Sequence, residues 1–562
     1  MSSAAVFTRR AASLCAAMVA TGLLVSCATA SGGAGSQGAR AEVDPARLNA
    51  HIAALADDAM EGRGPTTPGE EKAVQYIADQ FRALGLEPAG ENGSWFQTVP
   101  INRFVQEGPA SISAKLPDGE RITFQRATEV IANSHRPQAR ITVTDAPVVF
   151  VGYGVDAPER GWDDFKGVDL TGKIMLVLVN DPDFEVPADS PMAGKFDGQG
   201  MTYYGRWVYK FEEAARRGAA GVMVIHETAG AGYPWTTLQN SSTAAGLDIV
   251  RADPEKERVK VQGWIQQAQA ARLMQAAGLD FAALKASAQT ADFRPVELAG
   301  VSMSFDIGHR FERLTTRNVA ARLTGTTRPD ETVMYGAHWD AYGRAVPNAA
   351  GDDIYNGAVD NASGVAAVIE LARLFAVAPR TERSVLFVSW AAEEAGLLGA
   401  YYYAAHPLVP LETTVGNINM DSLLAGPPED EIVVIGYGKT DLQDRLARDA
   451  AVDGRRLIPD PAPQVGAFYR SDHFPLAKMG VPALFAAAGF TGASEASRDY
   501  VRNRYHQPTD DWTSPWDLSG AAADVDLLYK VGRDLANGTD WPRWTPGNEF
   551  EAVREASAAR RR

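Results

Sequence analysis

Thr332-Val333-Met334-Tyr335-Gly336-Ala337-His338-Trp339-Asp340 decides the fold: an apolar run that ends in a histidine and an aspartate. A short apolar stretch of this kind predicts a strand buried on both faces. It belongs to a series. Helical spacing over 364–375 is followed by strand-like runs at 384–390, 415–420 and 481–486, a helix over 442–451 and a last helix around 525–535. Strands separated by helices predict an α/β domain with a mixed, largely parallel sheet covered on both faces. In open sheets of this class ligands gather at the carboxyl ends of the strands, where His338 falls.

The residues at the other strand and loop ends carry matching chemistry. Gly357-Ala358-Val359-Asp360-Asn361-Ala362-Ser363-Gly364 leads into a helix, so Asp360 fits a helix cap or, with its two oxygens, a carboxylate shared by two metal ions. Ser384–Trp390 runs into Glu393 and Glu394, which are costly to bury without a partner such as a metal. Asn417-Ile418-Asn419-Met420-Asp421 ends a strand on a carboxylate, and Tyr505-His506-Gln507-Pro508 places a second imidazole in a rigid loop. His338, Asp360, Glu394, Asp421 and His506 would give each of two zinc ions one histidine, one terminal carboxylate and a share of Asp360. Glu393 is placed to accept a proton from water, and Asp340 to hold the second ring nitrogen of His338. Arg470-Ser471-Asp472-His473 supplies polar groups for gripping substrate, with His473 a further metal-site candidate. Each fragment alone fits a bland reading as a turn, cap or surface loop; together they point to hydrolysis.

These motifs resemble peptidase family M28, the metallopeptidases that include leucyl-type aminopeptidases and glutamate carboxypeptidases. The resemblance rests on Gly336–Asp340, Asp360–Gly364, Glu393-Glu394, Asn419–Asp421, Ser471–His473 and Tyr505-His506, in that order, and on Met60-Glu61-Gly62-Arg63-Gly64 near the start. It implies a zinc-exopeptidase domain with one zinc on His338, Asp360 and Asp421 and the other on Asp360, Glu394 and His506. It makes Glu393 the general base, Tyr505 the residue steadying the tetrahedral intermediate, and His473 a substrate-pocket residue. The bond after Asp360 is expected to be a non-proline cis peptide. Val148–Tyr153, Gly172–Ile174 and Phe211–His226 resemble an inserted α+β protease-associated domain. The expected domains are 44–130 and 296–545 for the catalytic unit, 131–295 for the insert and 546–562 for a solvated tail. The 342–356 stretch, with Asp352 and Asp353, departs from compact members.

The remaining composition narrows the function. The chain has 562 residues, 45% of them hydrophobic and 22% charged, and its formal charge of -16 argues against a general nucleic-acid binder. Arg9-Arg10, an apolar run from Ala11 to Val25 and Ser26-Cys27 have the marks of an export signal. They resemble a bacterial lipoprotein signal, 1–27, with Cys27 lipidated and 28–43 a flexible tether, which implies the periplasmic face of the outer membrane. A soluble periplasmic or secreted protein is the alternative, and membrane contact is expected only through the lipid anchor. With Cys15 in the removed segment, no intrachain disulfide is possible. His135 and His226 stand alone, and His226 reads as structural. The expected activity is aminopeptidase action on peptide substrates with two Zn2+ per chain. The alternatives are a glutamate carboxypeptidase-like exopeptidase, a glutaminyl cyclase-like zinc enzyme and a non-enzymatic surface binding protein. The sequence leaves the oligomeric state open.

Overall fold

A computed structural model describes residues 42–241, 245–486 and 494–561. The expected signal, Cys27 and most of the tether lie outside the described residues. Among them, no helix is long and apolar enough to cross a membrane.

Two sheets share one strand. The first is built on β1 (Phe96–Gln106), β2 (Val296–Leu323), β3 (Arg328–His338), β4 (Arg383–Trp390), β5 (Thr414–Asn419) and β6 (Ala483–Ala486). β3 lies at its centre, parallel to β4 and to β5, and β5 is parallel to β6. β2 runs antiparallel to β4 and to β1, so the sheet is mixed. Side chains alternate across it as the pleat requires. Val333, Tyr335, Val385 and Phe387 pack on α1 (Gly364–Val377) and α2 (Ser519–Asn537), whereas Met334, Leu386, Val388 and Trp390 face helices Leu398–Ala405 and His473–Lys478. Each such fully buried apolar side chain contributes about 1.5–3 kcal/mol. Gly532 in α2 leaves room for Tyr335, whose hydroxyl donates to the Leu528 carbonyl at 2.9 Å; any side chain there would strike that hydroxyl.

The second sheet places parallel strands Ile174–Leu178, Gly221–His226 and Val261–Gln266 beside Arg140–Phe150. It also takes in Ser111–Lys115 and the first half of β2. The second sheet therefore reaches beyond the expected limits of 131–295, because the 28-residue β2 belongs to both sheets. His226 is buried, its Nε2 3.0 Å from the Tyr233 carbonyl and its ring against Trp235 and Trp264, a structural position.

Two local expectations need correction. The pattern over Leu48–Met60 predicts the first helix there; it spans Pro45–Leu55 instead, since Asp44 caps it and Pro45 occupies its first turn. The 546–562 tail is not an unstructured solvated end: it forms a helix over Glu551–Ala556 and a short turn of helix after it. Phe550 is buried there, and the buried Arg554 guanidinium donates to the carbonyls of Thr414 and Val415 at 3.0 and 3.3 Å.

Candidate active site

The parallel strands deliver the site at their carboxyl ends. β3 ends on His338, β4 leads to Glu393 and Glu394, β5 to Asp421, and Asp360 precedes α1. Gly336 lets the Trp390 indole cross β3; a side chain on it would meet Nε1 at 2.5 Å. Asp360 sits at the centre. His338 Nε2 is 3.2 Å from its Oδ1 and 3.5 Å from Asp421 Oδ1, and His506 Nε2 is 3.3 Å from its Oδ2 and 3.3 Å from Glu394 Oε2. The bond after Asp360 is cis. Two groups of donors therefore converge, His338-Asp360-Asp421 and Asp360-Glu394-His506.

This donor set fits a pair of metal ions. Nε2 of His338 and of His506 are buried and have no hydrogen-bond partner, an arrangement that costs free energy unless a cation takes the lone pair. Nitrogen and carboxylate donors in two groups joined by one carboxylate suit zinc and its neighbours in the first transition row.

The surroundings hold these donors by backbone as much as by side chain. His338 Nδ1 lies 3.1 Å from the Asp340 carbonyl oxygen, with the Asp340 carboxylate farther away at 3.8 Å. That carboxylate instead accepts the backbone N–H groups of Glu393 and Glu394 at 3.0 and 3.3 Å, setting where both side chains begin. Asp510 accepts the N–H groups of Val359 and Asp360, each at 3.0 Å. The buried Arg63 donates to the carbonyls of Trp339 and Gly357 at 2.8 and 2.9 Å, tying the early Met60–Gly64 motif to the metal loops. Ala392, Ser422 and His506, each at or beside a donor, have left-handed φ of 54°, 61° and 57°. Backbone strain of this kind concentrates at functional sites.

Electrostatics follow from seven ionisable groups in one small volume. Burial, with Glu394, Asp472 and Asp421 nearby, pushes the Glu393 carboxyl well above the usual carboxylate range, and its Oε2 is 3.8 Å from His338 Nε2. Burial raises Glu394 to about 7, and His506 beside it acts in the opposite sense. Burial also opposes charge on Asp360, but His338 and His506 hold it well below the ordinary value.

Arg470, Ser471, Tyr505 and His506 line the cleft with Asp360, Glu393 and Asp421. Asp472 and His473 do not; both are fully buried behind it, and His473 packs between Phe468 and Phe485 because its helix turns it into the core. Burial pushes its imidazole down to about 3, the neutral state of a core histidine. Ser471 donates to Asp421 Oδ2 at 2.7 Å and so steadies a metal donor. Arg504 braces the His506 loop through the carbonyls of Thr509 and Asp511. Asp353 pairs with Arg344 inside a hairpin of Gly343–Arg344 and Ile354–Tyr355. Sequence reading missed Tyr342, whose hydroxyl lies 3.0 Å from His506 Nδ1; its position four residues after the strand that ends on His338 was the one available signal.

Residues 318–529 match the profile described as Peptidase family M28. The chain is 34% identical over 129 residues to the Aminopeptidase NAALADL1 of Mus musculus, covering 22% of this chain and 16% of that one. It is 26% identical over 368 residues to an Aminopeptidase of Pseudomonas aeruginosa, covering 64% of this chain and 53% of the relative. The matches thus span about half the length of these curated relatives, or less. Among solved structures, the Aminopeptidase from Aneurinibacillus sp. strain AM-1 aligns with a TM-score of 0.48 and 19% identity, over 88% of this chain and 95% of that one. Residues 318–529 thus match the Peptidase family M28 profile, and both convergent donor groups lie within that segment.

Proposed function

We propose that the protein is a di-zinc exopeptidase that releases N-terminal residues from peptides. The observation that carries this reading is the Asp360 carboxylate, with one oxygen toward each histidine and Glu393 beside it. His338, Asp360 and Asp421 would hold one ion and Asp360, Glu394 and His506 the other. When bound, such a pair polarises the scissile carbonyl and lowers the pKa of water held there. Glu393 takes the proton of the attacking water on its carboxylate and returns it to the departing amine. Tyr505, on the cleft wall, is placed to donate to the developing oxyanion. The relatives named as aminopeptidases support action at the N-terminal end of the substrate. The unit around the second sheet reads as a protease-associated insert that shapes access.

A carboxypeptidase reading has one specific observation behind it. Arg470, in the cleft, forms no ion pair with a carboxylate among the described residues, so its guanidinium is free to meet a substrate carboxylate. An unblocked peptide series compared with its N-acetylated and C-amidated forms decides between them. Loss of cleavage on acetylation alone supports the aminopeptidase. Loss on amidation alone moves the assignment to the other terminus. We also propose anchoring through Cys27, supported by the signal-like 1–27 segment; incorporation of labelled palmitate that survives Cys27→Ser would contradict it.

A further inference from the structure

His506 is the most exposed donor of its group, and it stands on a left-handed backbone at φ 57°, which a non-glycine residue adopts at a cost of about 1–2 kcal/mol. Its ring needs side-chain support. Tyr505 stacks on it with centroids 3.6 Å apart, and Tyr342 meets it edge-on at 4.8 Å. The Tyr342 hydroxyl, 3.0 Å from Nδ1, also lies beside the Glu394 carboxylate. For Nε2 to offer its lone pair toward Asp360 and Glu394, the imidazole must carry its proton on Nδ1. Nδ1–H then donates to the Tyr342 oxygen, and the hydroxyl proton of Tyr342 is directed at Glu394.

We propose that Tyr342 is the positioning residue of the second donor group, its hydroxyl fixing the tautomer of His506 and the orientation of Glu394 together. The inference rests on the two-metal reading of the site. It gives a role to the segment that departs from compact family members: Tyr342 opens the 343–355 hairpin, its ring 6.0 Å from that of Tyr355 at the far end. The first donor group has its own separate support, since Asn419 donates to Ser471 at 2.8 Å and Ser471 to Asp421 at 2.7 Å. The two metal positions are therefore secured by different hydroxyls, and removing one hydroxyl addresses one ion.

Tyr342→Phe keeps the ring contacts and deletes the hydroxyl. Zinc affinity of chelator-stripped protein is measured by competition, alongside thermal unfolding of the zinc-free form. The expected result is one zinc bound about 10–100-fold more weakly and the other unchanged, with the zinc-free unfolding temperature equal to wild type. Ser471→Ala is expected to weaken the other zinc instead. Two zinc ions held by Y342F as tightly as by wild type would overturn the inference. So would equal loss at both positions with a lowered zinc-free unfolding temperature, which would mark Tyr342 as a packing residue. Wild-type protein binding fewer than two zinc ions would remove the two-metal reading itself, a failure visible before any substitution.

Discussion

Asp340 holds the Glu393 and Glu394 backbone through its carboxylate and His338 through its carbonyl oxygen, so one residue positions parts of both donor groups. Replacing it with alanine leaves two buried N–H donors unpaired, at a cost of about 1–3 kcal/mol each. D340A is expected to lose stability in urea unfolding and at least tenfold in kcat, because the start of the Glu393 side chain is no longer fixed. Glu393→Gln keeps the shape but not the base: zinc content should stay at two per chain while kcat falls by about 100–10,000-fold. The residue types of the site were legible because two histidines and several carboxylates recur at successive strand and loop ends, although each fragment alone also fits a cap or turn. Which atom of Asp340 does which task was not, since carbonyl and carboxylate compete at nearly equal reach. Tyr342 escaped notice because its partner lies 164 residues away.

The alternation of strand and helix was readable because β3 and β4 are apolar on both faces and α1 carries a helical stripe. The C-terminal segment was not. A charged, alanine-rich tail reads as solvated, and nothing local announces that Arg554 caps carbonyls 140 residues upstream. Arg554 also lies 5.6 Å over the Trp541 ring. Arg554→Ala should therefore destabilise the protein by about 2–3 kcal/mol through the lost charge-assisted bonds. Lowered thermal unfolding would be accompanied by faster proteolysis after residue 545. Unchanged unfolding would mean that the tail is held by Phe550 alone. The extent of the second sheet was hidden for a related reason: β2 is one continuous strand that changes sheet partway along, and nothing local says which partner each half takes.

At the scale of the whole molecule, the two sheets meet around Phe104, on which the His135 ring stacks with centroids 5.6 Å apart. Burial pushes His135 down to about 4 from an ordinary 6.5. The unfolded chain then takes up that proton first, so the contribution to stability is present above pH 6.5 and is lost as pH falls toward 4. At about 1.4 kcal/mol per pH unit the loss is about 3 kcal/mol. His135→Phe should flatten this part of the pH–stability curve relative to wild type, measured by urea unfolding in the zinc-free state. A cavity of about 670 Å³ is walled by Arg160, Met201, Lys439 and Phe468, and Ala467 lines both it and the candidate active-site cleft. We propose that the donors joined by Asp360 act as one two-metal centre. The most direct test is hydrolysis of an unblocked peptide as zinc is returned to chelator-stripped protein. Turnover should rise to a break at two zinc ions per chain. A plateau reached at one, or turnover that does not depend on zinc, would contradict the account.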